Sequence, residues 1–157
     1  MTTAGQGPVT IRAATTADRE GLRSLHRAAY ADLRERRYDD HARAWEDGFF
    51  AARTAHPEDV LVACAGDRIV GAAYLERQDD GLVLESLEVF PDQQGHGIGS
   101  RLLRFVLDRA ARDSLLVGLR VHRGNTSARR LYERLGLRVV AEDGDHLKMV
   151  IRAAGAG

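Results

Sequence analysis

The feature that most constrains the fold of this chain is a glycine-rich segment, QQGHGIGSR at residues 93–101, which joins a strand-like run to a helix-like run. The run before it, LVLESLEVF at residues 82–90, is rich in β-branched and apolar residues, and Pro91 stops it. After the glycines, apolar residues recur at helical spacing to about Arg112. A glycine-rich turn that opens a helix exposes backbone N–H groups at the positive end of the helix dipole, so the segment predicts an anion-binding site.

The remaining pattern predicts a mixed α/β fold, in which several strands precede the glycine-rich segment. Consecutive strands at that point argue against a doubly wound nucleotide-binding domain, where strand–helix units repeat from the N-terminus. The predicted order is strand 9–14, helix 16–36, helix 39–53, strands 59–65, 68–77 and 82–90, helix 98–112, strand 115–122, a helix within 125–136, and strands 137–142 and 146–152. Thr16 or Asp18 is the predicted N-cap of the first helix. Asn125 is the predicted N-cap of the last helix, and Gly136 is expected just after its end.

The size of the chain predicts one domain. Its 157 residues, 44% of them hydrophobic, are enough to bury a core. We expect a single domain over residues 1–157, with its core at 9–152 and a frayed tail at 153–157.

Composition excludes several classes of protein. Lysine and arginine together number 23, as do aspartate and glutamate, so no net charge draws the chain to nucleic acid or to a membrane. The single Cys64 rules out an intrachain disulfide framework or a cysteine-based zinc site. No apolar stretch approaches the roughly 20 residues that cross a bilayer, and the N-terminus does not resemble a signal peptide. These observations favour a cytoplasmic location, with no nucleic-acid or membrane partner.

Two familiar phosphate-binding loops do not fit the glycine-rich segment. A Walker A loop requires Gly-Lys-Ser/Thr, and the segment contains no lysine. A dinucleotide-binding loop requires Gly-x-Gly-x-x-Gly, yet counting from Gly95 the last position is Ser100, and the acidic residue expected about 20 positions later is missing. A third interpretation is a tight turn whose glycines only permit a positive φ.

A different loop matches better. The pattern Gln94-x-x-Gly97-x-Gly99 follows a strand that ends in Val89-x-Pro91, and it resembles the acyl-CoA loop of the GCN5-related N-acetyltransferase (GNAT) family. Downstream, RGNTSARRLYERLGLR at residues 123–138 is similar to that family's Asn-x-x-Ala-x-x-Leu-Tyr-x-x-x-Gly-Phe segment, with leucine in place of the phenylalanine. The resemblance covers roughly residues 82–140, while the N-terminal half agrees only in its order of elements.

The resemblance implies a fold and a donor substrate. The implied fold has a central, mostly antiparallel, twisted sheet of six to seven strands, splayed at strands 82–90 and 115–122 and flanked by about four helices. The implied acyl donor is acetyl-CoA, with its pyrophosphate on backbone N–H groups of the loop and its amide-bearing arm against the backbone of strand 82–90. The residues expected to bind this cofactor are Leu87, Val89, Gln94, Gly95, His96, Gly97, Ile98, Gly99, Ser100 and Asn125.

Three residues are candidates for the chemistry. Tyr132 matches the family's tyrosine, which lies near the thioester sulfur, and a phenol can donate a proton or a hydrogen bond to the departing thiolate. The alternative for Tyr132 is a plain place on the apolar face of its helix. Glu85 shares a strand face with apolar residues, so we expect a raised pKa suited to a general base or amine anchor. Glu88 points to the other face, where we expect solvent or a helix, and is the second candidate base.

The acceptor is expected to contact helices 16–36 and 39–53, where aromatic residues lie among acids that suit a cationic amine, although the same residues fit a plain core. In the subset of the family that acetylates protein N-termini, the strand before the asparagine tends to carry a glutamate, and Arg120 stands there instead. His122 could serve as a base or as a structural residue. The other histidines show no metal-ligand spacing, so we predict no metal.

These observations predict an N-acetyltransferase that transfers acetyl from acetyl-CoA to a primary amine of a small molecule or peptide, by direct attack in a ternary complex. Two alternatives stay open at this point. One is a catalytically idle acyl-CoA-binding sensor or scaffold module, and the other is an enzyme for longer acyl chains. The resemblance also allows a homodimer, since dimerisation is common among relatives.

Overall fold

A computed structural model describes residues 8–35 and 50–152 of the chain. In chain order the elements are β1 (Val9–Ala13), α1 (Arg19–Glu35), α2 (Phe50–Thr54), β2 (Val60–Ala65), β3 (Arg68–Arg77), β4 (Gly81–Val89), α3 (Ile98–Arg112), β5 (Leu116–His122), α4 (Thr126–Arg134), β6 (Arg138–Asp143) and β7 (His146–Arg152).

The strands form a seven-stranded sheet with the order β1-β2-β3-β4-β5-β7-β6. The pairs β1–β2, β2–β3, β5–β7 and β6–β7 are antiparallel. Strand β4 instead pairs in parallel with β5, over Gly81–Leu84 and Leu116–Leu119. The predicted mixed α/β fold, its mostly antiparallel sheet and its strand number are therefore confirmed. The paired residues belong to the N-terminal half of β4, as the expected splay of these two strands requires.

The chain divides into two compact units. The described residues of the first unit are 8–35, 50–74 and 86–102, and its core joins α1 to strands β2 and β3. Leu22 and Leu25 are buried with Val60 and Val62, because the helical spacing of the leucines places them on one face of α1. Phe90, just after β4, packs against the same cluster.

The entry into α1 differs from the prediction in detail. A 3-10 turn, Thr16–Asp18, precedes the helix, and its N-cap is Thr15 rather than Thr16 or Asp18. The Asp18 carboxylate accepts a hydrogen bond from the Thr15 backbone N–H at 2.8 Å. It also accepts two from the Arg12 guanidinium, at 2.7 and 2.9 Å. The hydrogen bond from Arg12 is the main reason why the pKa of Asp18 lies below its ordinary value.

The described residues of the second unit are 75–85 and 103–152. Its helix α4 begins and ends as predicted, because both signals are local. The Asn125 side chain accepts a hydrogen bond from the Ala128 N–H at 3.2 Å, which is the N-cap interaction. Gly136 follows the helix with φ of +101°, in the left-handed region that favours glycine. The edge strand β6 is exposed along its whole length.

Two expectations fall outside what the structure tests. The predicted helix at 39–53 lies mostly outside the described residues, which resume at Phe50 with the short helix α2. The single-domain assignment over residues 1–157, with its frayed tail, stays a prediction.

None of the helices within residues 8–35 and 50–152 combines the length and the apolar character that a bilayer crossing requires.

Candidate active site

The glycine-rich loop connects β4 to α3 in the first unit. After the turn Pro91–Gln93, residues 94–97 are exposed and α3 starts at Ile98. Gly95 has φ of +79° and Gly97 has φ of +78°. A Cβ added to either glycine would meet nothing within 4 Å. The loop therefore needs these glycines for their backbone conformation and not for lack of space.

The backbone N–H groups of this loop contrast with the first N–H group that is bonded within α3. The Arg101 N–H donates to the Gly97 carbonyl at 3.0 Å, which is the bond that starts α3. Within the described part of the chain, no hydrogen bond is recorded for the N–H groups of residues 95–100. Consecutive open N–H groups at the start of a fifteen-residue helix are an arrangement that binds phosphate.

A close contact below the loop holds the start of α3 against the sheet. At Gly71 of β3, an added Cβ would lie 3.0 Å from Ile98 Cγ2, 3.1 Å from Leu102 Cδ1 and 3.1 Å from the Glu88 carbonyl oxygen. A side chain there would press on a backbone carbonyl and on two packed side chains, so glycine fits best. We did not predict this role for Gly71, although a lone glycine inside the strand-like run RIVGAAYLER is a known sign of close backbone approach.

Two predicted cofactor-binding residues stabilise the loop itself. The Nδ1 atom of His96 lies 3.2 Å from the Gln93 carbonyl oxygen and 3.0 Å from the Gln94 carbonyl oxygen. Because both partners are acceptors, Nδ1 carries the proton. The Gln94 amide donates to the Val89 carbonyl at 3.4 Å. The cofactor-binding role of these residues, and of Leu87, stays a prediction.

The two glutamates of β4 differ in burial from our expectation, which placed Glu85 rather than Glu88 in the more apolar surroundings. Glu88 is buried, with 5% of its surface exposed, whereas Glu85 is only half-buried. Glu88 faces α1, and its Oε2 lies 2.7 Å from Nδ1 of His26. Of the two surroundings that we expected for Glu88, solvent or a helix, the structure shows the helix. Val83 and Leu87, which alternate with Glu85 on the same face of β4, are also half-buried.

His26 and Glu88 belong to a cluster of four side chains in the first unit, which we call the His26–Glu88 cluster: Tyr30 and His26 of α1, Tyr74 of β3 and Glu88 of β4. Burial, followed by the negative charge of Glu88 and a hydrogen bond to it, raises the pKa of the Tyr74 hydroxyl above its ordinary value. The rings of His26 and Tyr30 lie 5.7 Å apart. Sequence reasoning missed this cluster, because His26 and Glu88 are 62 positions apart.

Tyr132 lies on α4, in the second unit. Two other predicted site residues, Glu85 of β4 and Asn125 at the N-cap of α4, belong to the same unit. Its side chain is buried, and burial raises the pKa of Tyr132 to about 12. The phenol therefore keeps its proton throughout the neutral range. Asn125 caps α4, which leaves its predicted cofactor-binding role untested.

The remaining polar candidates near β5 have structural partners. His122 Nδ1 accepts a hydrogen bond from the Gly124 N–H at 3.0 Å, and the ring packs edge-on against His146 at 5.4 Å. Arg120 donates to Asp143 at 2.8 Å. Among the described residues, no group of three His, Cys, Asp or Glu side chains is arranged to hold a metal ion.

The fold and the loop thus define a mixed α/β protein that presents an anion-binding loop at the start of α3. The family model described as "Acetyltransferase (GNAT) family" matches residues 19–137. The chain therefore belongs to the GNAT family.

Two curated relatives agree with this assignment. A mycothiol acetyltransferase of Brachybacterium faecium is 35% identical over 92 residues, which are 55% of this chain. The match spans only 28% of that relative's length. The N-alpha-acetyltransferase RimI of Mycobacterium tuberculosis is 34% identical over 143 residues, covering 88% of this chain and 84% of the relative.

Solved structures share the fold. The PaiA N-acetyltransferase of Thermoplasma acidophilum, in complex with coenzyme A, superimposes with a TM-score of 0.81 at 21% identity, over 92% of this chain and 99% of that one. YncA of Salmonella typhimurium, a putative acetyltransferase with its cofactor acetyl-CoA, gives a TM-score of 0.69 at 25% identity, over 92% and 94% of the two chains.

Proposed function

We propose that this protein transfers the acetyl group of acetyl-CoA to a primary amine of a small molecule or a peptide, by direct attack in a ternary complex. The observation that carries the proposal is the loop at residues 95–100, at the start of α3: within the described part of the chain, no hydrogen bond is recorded for its backbone N–H groups. The membership of the chain in the GNAT family supports acetyl transfer as the reaction.

In this proposal, the glycine-rich loop holds the pyrophosphate of the donor. Gly95 and Gly97 let the backbone approach a phosphate closely, since nothing lies within 4 Å of where their Cβ atoms would be. The amide-bearing arm of the donor pairs with the backbone of Leu87 and Val89. Two neighbours of the same fold carry coenzyme A or acetyl-CoA in their structures, which supports this choice of donor.

The transfer has three chemical requirements. The acceptor ammonium must lose a proton, the amine nitrogen must attack the thioester carbonyl carbon, and the thiolate must be stabilised as the carbon–sulfur bond breaks. Tyr132 is assigned to the thiolate. With its pKa raised to about 12, the phenol is a weaker acid than a thiol of pKa about 8.5. Its contribution is therefore a hydrogen bond to the sulfur rather than full transfer of its own proton.

The acceptor in this proposal is a primary amine. The two curated relatives are named for a small-molecule acetyltransferase and for an N-alpha-acetyltransferase. Those names span both acceptor classes that we consider. Arg120, in the position where an N-terminal acetyltransferase tends to carry glutamate, is paired with Asp143 and is not a base. The absence of that glutamate favours a small-molecule or peptide amine over a ribosomal protein.

The first experiment compares the melting temperature of the purified protein with acetyl-CoA, coenzyme A, NAD and ATP in parallel. A ligand at 100 times its dissociation constant adds about 2.7 kcal/mol to the unfolding free energy, which is a shift of several degrees. We expect only the two coenzyme A compounds to stabilise. Stabilisation by NAD or ATP alone would refute the proposed donor site.

A second assay then follows thiol release from acetyl-CoA with a panel of primary amines. Release with at least one amine is the expected result. If acetyl-CoA binds and no amine in the panel accelerates release, the protein is the idle acyl-CoA-binding module instead. Comparing acetyl-CoA with longer acyl-CoA donors in the same assay tests acyl-chain preference, and an undiminished rate with length would contradict acetyl specificity.

A further inference from the structure

We infer that the buried contact between His26 and Glu88 fixes the C-terminal half of β4, residues 86–89. Glu88 is then a positioning residue for the acyl donor rather than the general base. The inference rests on the proposed function, which assigns the backbone of Leu87 and Val89 to the arm of acetyl-CoA. It adds the side chain that holds this backbone in place.

The C-terminal half of β4 lacks the strand partner that its N-terminal half has. The parallel pairing of β4 with β5 covers Gly81–Leu84, and within the described part of the chain it is not recorded for residues 86–89. A ligand that binds through the backbone needs such an edge, because the N–H and C=O groups must stay available. The same feature leaves this half of the strand with fewer hydrogen bonds, so other contacts must hold it.

On its other side, the end of β4 lies against the backbone of β3. The Phe90 N–H donates a hydrogen bond to the Val70 carbonyl at 3.0 Å. The Glu88 carbonyl oxygen lies 3.1 Å from the position that a Cβ of Gly71 would occupy. Both contacts involve backbone atoms along one edge of the strand. A strand held along one edge can still swing about it, so its orientation depends on side-chain contacts.

The Glu88 side chain supplies such a contact. Its Oε2 lies 2.7 Å from Nδ1 of His26, and the side chains of His26 and Glu88 are 9% and 5% exposed. Separating the two would leave a buried carboxyl group without this partner, which is strongly unfavourable where water is excluded. The contact therefore resists movement of β4 away from α1.

Helix α1 is a firm support for this contact, because its apolar face is packed in the core of the first unit. Leu22 and Leu25 are 2% and 0% exposed, and His26 directly follows Leu25. Tyr74 of β3 belongs to the same surroundings, since burial and then the negative charge of Glu88 raise the pKa of its hydroxyl. The Glu88 carboxyl group thus connects β4 to packed parts of α1 and β3.

The place of Glu88 in the strand connects this contact to the donor. Glu88 lies between Leu87 and Val89, so a shift of its backbone moves theirs as well. Hydrogen bonds between the donor arm and this backbone would require separations of about 2.7–3.2 Å, so a small displacement weakens them. Phe90 also packs against the core, but it lies just beyond the stretch assigned to the donor.

A first test needs neither a variant nor a donor. Backbone order parameters from ¹⁵N relaxation report whether residues 86–89 are rigid in the free wild-type protein. We expect values of about 0.85, as for rigid backbone, and equal to those of the buried strand β2. Values that fall below those of β2, toward about 0.6, would mean that the contact does not fix the strand. The inference would then be wrong.

The decisive test compares Glu88→Ala with Glu88→Gln in the same relaxation experiment and in calorimetric titration with acetyl-CoA. Glu88→Ala removes the contact, so we expect lower order parameters at residues 86–89 and a dissociation constant raised about tenfold or more. Glu88→Gln keeps an amide, which can accept from a protonated Nδ1 of His26 or donate to an unprotonated one. Its order parameters should match wild type, and its dissociation constant should stay within about threefold.

Glu58→Ala is the matched control, because Glu58 forms an exposed pair with His56 at 3.5 Å. It should leave both measurements unchanged. If Glu88→Ala lowers only the melting temperature and keeps both the rigidity of residues 86–89 and the acetyl-CoA affinity, the inference is overturned. It is also overturned if Glu88→Gln keeps rigidity and affinity but loses turnover as fully as Glu88→Ala, because Glu88 would then be the base.

A second variant covers the case in which Glu88→Ala does not fold. His26→Ala removes the same contact from the side of α1 and introduces a good helix former. The same two changes are expected there, and wild-type rigidity with wild-type affinity contradicts the inference. If the wild-type protein does not bind acetyl-CoA, the proposed function fails, whereas the order parameters still show whether the contact fixes β4.

Discussion

The hydroxyl of Tyr132 illustrates how burial at a single residue sets its chemistry. Burial raises its pKa to about 12, compared with about 10 for a free phenol. Tyr132→Phe should therefore lower kcat by about 100-fold, because the thiolate loses its hydrogen bond. Acetyl-CoA affinity should change little, since the rest of the residue is kept. Steady-state turnover together with a binding isotherm measures both, and equal losses in the two would point to a structural role only.

Asp18 is a second residue whose environment makes a measurable prediction. Its hydrogen bond from Arg12 lowers its pKa in the folded state, so the stabilisation is present above the unfolded value of about 3.9 and is lost as pH falls through the folded value. Asp18→Asn should cost about 1 kcal/mol at pH 7, a modest figure because the Arg12 side chain is half-exposed.

Urea unfolding at pH 7 and pH 3 checks this prediction. The difference between wild type and Asp18→Asn should shrink at pH 3, because the carboxyl group of the unfolded chain, with a pKa of about 3.9, is protonated there. Asp92→Asn is the control, since Asp92 pairs with Arg68 at 3.3 Å with both side chains largely exposed, and it should change little at either pH. A difference that is the same at both pH values would contradict the assigned linkage.

At the scale of elements, the turn from β4 into α3 depends on backbone conformation. Gly97 and Gly66 both have positive φ, at +78° and +61°, and both have open space where a Cβ would lie. Gly97→Ala and Gly66→Ala should therefore each destabilise the fold by about 1 kcal/mol. Only Gly97→Ala should weaken acetyl-CoA binding, because Gly66 lies in the β2–β3 turn. Calorimetric titration of both variants distinguishes the two effects, and equal affinity would argue against a phosphate-binding loop.

Elements with local signals were predictable from the sequence. Asn125 and Gly136 mark the ends of α4 because a cap side chain and a positive φ act within a few residues. The β2–β3 turn at Gly66 and the start of α3 are predictable for the same reason. The entry to α1 was placed less well, because Thr15, Thr16 and Asp18 are all good cap residues, and the ion pair with Arg12 of the preceding strand favours the observed arrangement.

At the scale of the whole molecule, charge balance is the property that predicts behaviour. Acidic and basic residues number 23 each, and the isoelectric point is about 7.0. Protein self-repulsion is therefore weakest near neutral pH. We expect the solubility of the 157-residue chain at low salt to be lowest near pH 7 and to rise on both sides. Precipitation by polyethylene glycol from pH 5 to pH 9 measures this, and a solubility maximum at pH 7 would contradict it.

The homodimer that the resemblance allows stays a prediction at this scale. Sedimentation velocity over a range of concentrations tests it directly. A single species of monomer mass at every concentration would rule it out under those conditions.

The sequence by itself determined the order of elements, the glycine-rich loop and the helix caps, since each depends on residues within a few positions of one another. It also determined the family, because two motifs occur in order on matching elements. Tertiary structure alone decided which carboxylate of β4 is enclosed. Alternation along a strand separates Glu85 from Glu88, but it does not say which face α1 covers. The pairing of Glu88 with His26 exists only because packing of the Leu22 and Leu25 face brings α1 onto the sheet, across 62 residues of chain.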